Sequence, residues 1–84
     1  MTSERPRRKR TPPAAGDTYA QLGERIREAR QARGLTQAAL GAPYFTRSFV
    51  SAIEHGKPGV SIKALRHFAK TLGLSVRELI PPDF

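Results

Sequence analysis

The chain has 84 residues, no cysteine and a formal net charge of +8, from 15 lysines and arginines against seven aspartates and glutamates. This length favours one domain, and the lack of cysteine excludes disulfides and thiolate metal sites, so a hydrophobic core must stabilise the fold. No stretch approaches the roughly 20 apolar residues of a membrane-spanning helix, and the N-terminus lacks the apolar segment of a secretory signal. We therefore expect a cytoplasmic protein whose charge suits a polyanionic partner.

Residues 1–16 contain three prolines and, beyond Met1, no aliphatic side chain larger than alanine. Such a composition cannot bury enough apolar surface to offset the entropy of ordering, so we expect a disordered arm. The arm has a net charge of +4, from one glutamate and five cations: Arg5, Arg7, Arg8, Lys9 and Arg10.

From residue 17 onward the pattern becomes helical, with clear stops. The first helix is predicted over about 19–33, with Thr18 and Gln21 forming a capping box and Gly34 ending the helix. Its buried face is predicted at Tyr19, Leu22, Ile26 and Ala29, which share one side of a helix.

Two further helices are predicted over about 37–42 and 47–55. Pro43 ends the first of them, since the residue before proline avoids the α region, and Gly56 ends the second. The N-caps of these helices are Thr36 and Thr46.

The last two helices are predicted over about 62–72 and 76–80. Ser61 is the N-cap of the fourth helix and Gly73 its stop. A capping box at Ser75 and Glu78 begins the fifth. The fourth helix is expected to bury Ile62, Leu65, Phe68, Ala69 and Leu72. Residues 17–84 are thus predicted to form a compact all-α domain of five helices.

The second and third helices and their tight turn have the pattern of a helix-turn-helix. The chain resembles the lambda-repressor-like, Cro/cI-type (XRE) family over about residues 19–80. The resemblance lies in Gly34-Leu35-Thr36-Gln37, Ser51-Ala52-Ile53-Glu54-x-Gly56 and Ala69-x-x-Leu72-Gly73. It implies a lambda-repressor-like DNA-binding domain whose third helix reads double-stranded DNA in the major groove.

The resemblance also implies individual roles. Arg30 and Glu54 match the family's internal ion pair between the first and third helices. The implied base contacts are Arg47, Ser48, Ser51 and Ala52, and the implied backbone contacts are Gln37, Thr46, His55 and Lys57.

The periodicity of the third helix supports this assignment independently. With Val50 and Ile53 on the core, a step of about 100° per residue turns Ser48, Ser51, Ala52 and His55 away from it. Arg47 is the one strong base reader, because its guanidinium can form a bidentate contact with guanine. We therefore expect one directly read guanine per half-site and a further contribution from DNA shape.

The sequence departs from the family between Leu40 and Thr46, where it is one residue shorter, lacks the common turn glycine and contains Pro43. The second helix is therefore expected to lose a turn. Two alternatives remain open for Phe49, which either faces DNA, as in some relatives, or packs on the edge of the core. His67 is expected to be a solvated or boundary residue of the fourth helix.

The sequence supplies no convincing nucleophile–base set, no metal-ligand cluster and no phosphate-binding glycine loop, so we expect neither an enzyme nor a cofactor. The main hypothesis is a transcriptional regulator, a repressor that binds DNA as a homodimer. The alternative is a protein-binding adaptor or antitoxin with the same fold and weak DNA binding.

Three interpretations of the basic arm remain open: it follows DNA phosphates or enters the minor groove, it adds only non-specific affinity, or it is inert. The residues expected at the dimer interface, or alternatively closing the core, are Leu74, Val76, Ile80 and Phe84.

Overall fold

The computed structural model of the protein describes residues 15–81, with side chains from residue 18 onward. This part of the chain is all-helical and has no strand, which confirms the expected fold class. The arm cations at positions 5–10 and Phe84 lie outside the described residues. The five helices are α1 (Ala15–Ala32), α2 (Gln37–Gly41), α3 (Arg47–Glu54), α4 (Ile62–Leu72) and α5 (Val76–Leu79).

Hydroxyl side chains begin four of the five helices, as the sequence predicted. In each case the oxygen accepts a hydrogen bond from a backbone N–H in the first helical turn, a group that has no partner within the helix. Ser75 and Glu78 form the complete capping box of α5. Gly34 and Gly73 follow α1 and α4 with φ of 68° and 74°, the left-handed conformation that glycine adopts at least cost. The four N-caps are Thr36, Thr46, Ser61 and Ser75.

The start of α1 differs from the prediction. The helix begins at Ala15, four residues before the expected position, so Thr18 lies inside it and is not an N-cap. The Thr18–Gln21 capping box is therefore wrong, and the boundary of the arm at residue 16 falls within the helix. An N-cap needs a non-helical backbone, and no proline stands between Ala15 and Thr18 to stop the helix from extending past Thr18. The remaining helix ends lie within one residue of their predicted positions.

The core consists of one cluster to which all five helices contribute. Ile62 was expected in it but is 57% exposed. At about 100° per residue its side chain is displaced by about 80° from that of Leu72, so it lies at the margin of the buried stripe of α4. Tyr19 and Ala29 pack against the cluster while partly exposed. The buried members are Leu22, Ile26, Leu40, Val50, Ile53, Ala64, Leu65, Phe68, Ala69, Leu72 and Leu79.

Two glycines allow α3 to lie close to its neighbours. A Cβ atom on Gly23 of α1 would lie 2.3 Å from the carbonyl oxygen of Ile53 and 2.7 Å from that of Glu54. A Cβ atom on Gly41 would lie 2.9 Å from Cγ2 of Val50. A larger residue at either position therefore pushes α3 away from α1 or α2, and the position of α3 depends on both glycines.

The turn between α2 and α3 is held by backbone bonds and by a histidine. Helix α2 has only five residues, in agreement with the expected shortening. After it, the N–H groups of Tyr44 and Phe45 donate to the carbonyl oxygen of Gly41, at 3.1 and 2.8 Å. Nε2–H of His67, on α4, donates to the carbonyl oxygen of Leu40 at 3.0 Å. His67 is thus a boundary residue that supports the turn.

Phe49 packs at the edge of the core, which decides between the two alternatives. Its ring stacks on Phe45 with centroids 5.1 Å apart and lies 6.3 Å from the ring of Phe68. It is partly buried and packs against the core cluster. We conclude that Phe49 stabilises the attachment of α3 to the domain.

Candidate nucleic-acid interface

The outer side of α3 and the turn after it form an open concavity of about 670 Å³. Six of the eight predicted DNA contacts line this surface together, including all four predicted base contacts. Arg47 stands at the N-terminal end of α3, which is the end that enters the major groove in this motif. The lining residues are Arg47, Ser48, Ser51, Ala52, His55, Gly56, Lys57 and Pro58.

The packing of α3 explains why these residues are accessible. Val50 and Ile53 are 0% and 3% exposed and bury the opposite side of the helix. Arg47 and Ser48 are exposed, while Ser51 is half-buried. Within the described part of the chain, the Arg47 guanidinium has no hydrogen-bond or ion-pair partner, so its donors are available to a ligand.

Two lining residues are joined at the C-terminal end of α3. Nδ1 of His55 lies 2.7 Å from the carbonyl oxygen of Ser51 and 3.5 Å from its Oγ. Thr46, at the other end of the helix, does not line the concavity and uses Oγ1 to accept from the N–H of Phe49 at 3.1 Å. Thr46 would therefore have to contact the DNA backbone while its hydroxyl also caps α3.

A buried ion pair ties α3 to α1, as predicted. Nε and Nη2 of Arg30 donate to the two carboxylate oxygens of Glu54 at 2.6 and 3.1 Å. Nη1 of Arg30 also donates to the carbonyl oxygen of Leu35, at 2.8 Å. The Glu54 side chain is 1% exposed and the Arg30 side chain 12% exposed. A buried pair of this kind orients the two helices more than it stabilises them, because desolvation offsets the attraction.

Gln37 joins the same network. Its Nε2 donates to Oε1 of Glu54 at 3.0 Å, a contact that the sequence did not predict. An amide nitrogen has two N–H donors, so one remains after this bond. The network therefore positions the first residue of α2 relative to α3, and it leaves a donor for the predicted phosphate contact.

The charge of the surface suits a polyanion. Arg47 and Lys57 line it, and no carboxylate does. The nearest acidic residue in sequence, Glu54, is buried and compensated by Arg30. No group of three metal-ligating side chains occurs among the residues that the structure describes. No helix in the described range is both long and apolar enough to cross a membrane.

The fold and the surface define a small helix-turn-helix domain whose third helix has an accessible outer face. Residues 21–80 match the family model of the helix-turn-helix domain. The chain therefore belongs to this family, and its lambda-repressor-like, Cro/cI-type resemblance is confirmed.

Relatives and solved structures agree with this assignment. The chain is 37% identical over 60 residues to the HTH-type transcriptional regulator DdrOP3 of Deinococcus deserti, a match that covers 70% of this chain and 46% of the relative. It thus spans about half the length of that relative. The restriction-modification controller protein C.AhdI from Aeromonas hydrophila has a TM-score of 0.70 at 35% identity, covering 74% of this chain and 96% of that one. The S. venezulae BldD DNA-binding domain has a TM-score of 0.69 at 26% identity, and the match covers 77% of this chain and 99% of that one.

Sequence reasoning missed two kinds of residue. Gly56 and Pro58 line the concavity, and only their position beside Lys57 could have indicated it. Gly23 was missed as the contact point of α1 and α3. A signal for it existed, because Gly23 lies with Tyr19 and Ile26 on the apolar face of α1, where a glycine allows another backbone to approach closely.

Proposed function

We propose that this protein is a sequence-specific, double-stranded DNA-binding transcriptional regulator that acts as a repressor, with α3 in the major groove. The observation that carries the proposal is the concavity itself. It gathers Arg47, Ser48, Ser51 and Ala52 on one accessible face of α3, beside two further predicted backbone contacts. Repression would require nothing beyond occupancy, because a domain seated on a promoter excludes other proteins from it.

Each residue of the surface has a distinct task in this proposal. Arg47 donates to O6 and N7 of a guanine, a contact that discriminates between bases by about 1–3 kcal/mol. Ser48 and Ser51 donate or accept and discriminate weakly, and Ala52 offers a methyl group to thymine. The phosphate contacts come from Gln37, Thr46, His55 and Lys57, and they set the register of the domain on DNA.

The relatives support this function by what their names state. DdrOP3 is a transcriptional regulator, C.AhdI is a controller protein, and the BldD fragment is a DNA-binding domain. We extend these properties to this chain because the residues that would contact DNA lie together and accessible here.

We further propose a homodimer in the cytoplasm, bound to a palindromic site with half-sites about 34 Å apart. Leu74, Val76 and Ile80 lie in α5 or directly beside it and remain partly exposed, so a second copy could contact them. The basic arm would add phosphate contacts, since its five cations have only one acidic neighbour within residues 1–16.

Selection of binding sites from a random double-stranded DNA pool, at roughly physiological salt, tests the proposal. A palindrome with a guanine in each half-site is the expected result for the purified protein. The Arg47→Ala variant, selected in parallel, should lose preference at that guanine only. Recovery of no motif, with binding that disappears as salt rises, would contradict sequence-specific regulation and favour the adaptor or antitoxin alternative.

A further inference from the structure

His55 stands at the end of α3 with one ring nitrogen bonded to the backbone. Its Nδ1 lies 2.7 Å from the carbonyl oxygen of Ser51. A carbonyl oxygen only accepts hydrogen bonds, so Nδ1 carries a proton and donates it. In the neutral imidazole the other nitrogen, Nε2, then has a lone pair and no proton.

The remaining nitrogen determines what His55 can bind. His55 is exposed and lines the concavity, so Nε2 is the ring nitrogen left for a ligand there. Phosphate oxygens are anionic acceptors and repel the lone pair of a neutral ring. An imidazolium has N–H on both nitrogens and forms a charge-assisted hydrogen bond with phosphate.

We propose that His55 binds the DNA backbone only as an imidazolium, through Nε2–H, so that each engaged His55 takes up one proton when DNA binds. The inference rests on the proposed function and deepens it. It names the contact atom on the protein, the ligand group and a dependence of DNA affinity on pH.

The charged groups around His55 lie on its own surface and on α1. Arg47 and Lys57 share the concavity with it. Glu54, the preceding residue, is held by Arg30. On α1, which packs against α3, Glu24 pairs with Arg27 at 3.5 Å.

The direction of the effect follows from linkage. Because the protonated form is the one that binds, the contact contributes fully at low pH and is lost as the pH rises. For each engaged His55 the affinity falls by up to about tenfold per pH unit, the limit for uptake of one proton. A phosphate contact carries no sequence information, so the same dependence applies to any duplex.

The chain provides its own control, because His67 is its only other histidine. His67 lies outside the concavity and donates through Nε2 to Leu40. Affinity for a selected site and for a scrambled duplex should be measured at pH 6, 7 and 8 and constant ionic strength. We expect both duplexes to bind more weakly as pH rises for the wild type and for His67→Gln, and the dependence to be absent in His55→Gln. His55→Lys should keep its pH 6 affinity at pH 8.

Circular dichroism at each pH shows whether the variants are folded. If His67→Gln is unfolded, the ring ¹⁵N shifts of both histidines in the wild type replace that control. Only His55 should gain a proton on addition of DNA at pH 7. Equal pH dependence in the wild type and His55→Gln, or a wild-type affinity that does not change with pH, would overturn the inference. Absence of binding to either duplex at every pH would instead contradict the proposed function.

Discussion

The side-chain amide of Gln37 donates a hydrogen bond of 3.0 Å to Oε1 of Glu54, the same oxygen that accepts from Nη2 of Arg30. One buried carboxylate thereby connects α1, α2 and α3. The helix that carries the predicted base contacts is consequently positioned by the two helices behind it. Stability and DNA recognition can therefore be tested separately, by changes behind α3 and on its outer face.

Replacement of Glu54 by alanine should lower the free energy of unfolding by about 3–5 kcal/mol, because it leaves the mostly buried Arg30 guanidinium without its partner. Urea denaturation provides the measurement. Glu24→Ala is the matched control, since the Glu24–Arg27 pair is exposed (59% and 46%) and should contribute at most about 1 kcal/mol. Similar effects of the two changes would show that the buried pair has no special structural role.

Arg47→Ala should reduce the preference for the guanine of the selected site by about 1–3 kcal/mol, because the exposed guanidinium is the surface's strongest base reader. The preference is the ratio of affinities for the selected duplex and for a duplex changed at that base pair. Arg66→Ala, an exposed arginine on α4 outside the concavity, should leave the ratio unchanged. An equal loss of affinity for both duplexes would assign Arg47 to the backbone.

Gly23→Ala should destabilise the protein by about 1–3 kcal/mol or more, because the added Cβ would overlap the backbone of Ile53 and Glu54. Helix propensity alone predicts a gain in stability, since alanine stabilises a helix by about 1 kcal/mol relative to glycine. The thermal unfolding midpoint distinguishes the predicted loss of stability from this gain. Gln21→Ala, at an exposed position of the same helix, should change stability by no more than about 0.5 kcal/mol. A stabilised Gly23→Ala would refute the close approach of α1 to α3.

Phe49→Ala should cost about 1–3 kcal/mol of stability, less than the roughly 3–5 of a fully buried phenylalanine, because Phe49 is only partly buried against Phe45 and Phe68. The base preference of the folded variant should not change. Tyr44→Ala is the comparison for stability, since Tyr44 is 76% exposed and should matter little. A stable Phe49→Ala with altered base preference would place the ring on DNA instead.

Glu78 should make stability depend on pH in acid. Hydrogen bonds from Ser75, from its backbone N–H first and its hydroxyl second, hold the pKa of Glu78 below its ordinary value. The contribution is therefore present above the pKa of the unfolded chain and is lost as pH falls through the lower pKa of the folded protein. Unfolding of the wild type and Glu78→Gln should be compared between pH 6 and pH 2.5. The free energy of unfolding of the wild type should exceed that of Glu78→Gln near pH 6, and the difference should shrink toward pH 2.5. A difference that does not change with pH would contradict the capping role.

Local signals predicted most of the fold. Serine and threonine caps, terminating glycines and apolar periodicity describe interactions within a few residues, and the helices that they predicted are present. The failures lie where such signals are weak. Thr18 has the chemistry of an N-cap, but nothing local forbids a helix from continuing through Ala15. Ile62 has the right residue type for a core but lies at the margin of the buried stripe.

The candidate site likewise has a part that could be predicted from the sequence and a part that could not. The residues of the concavity follow from the periodicity of α3 because one helix carries most of them. The Gln37–Glu54 bond and the contact at Gly23 join residues far apart in sequence, and only the packed structure brings them together. The sequence also left open whether Phe49 faces DNA or the core. Its ring packs on the core because Phe45 and Phe68 lie within reach, which periodicity alone does not show.

The division of α3 into a packed back and an open front has an evolutionary consequence. Val50, Ile53 and Glu54 are buried, whereas the side chains that would meet bases do not belong to the core. Substitutions at Arg47 or Ser48 can therefore accumulate with little penalty in stability. Duplicated copies of such a gene could diverge toward separate operators while keeping one scaffold, and a set of mutually independent genetic switches could be engineered by the same route.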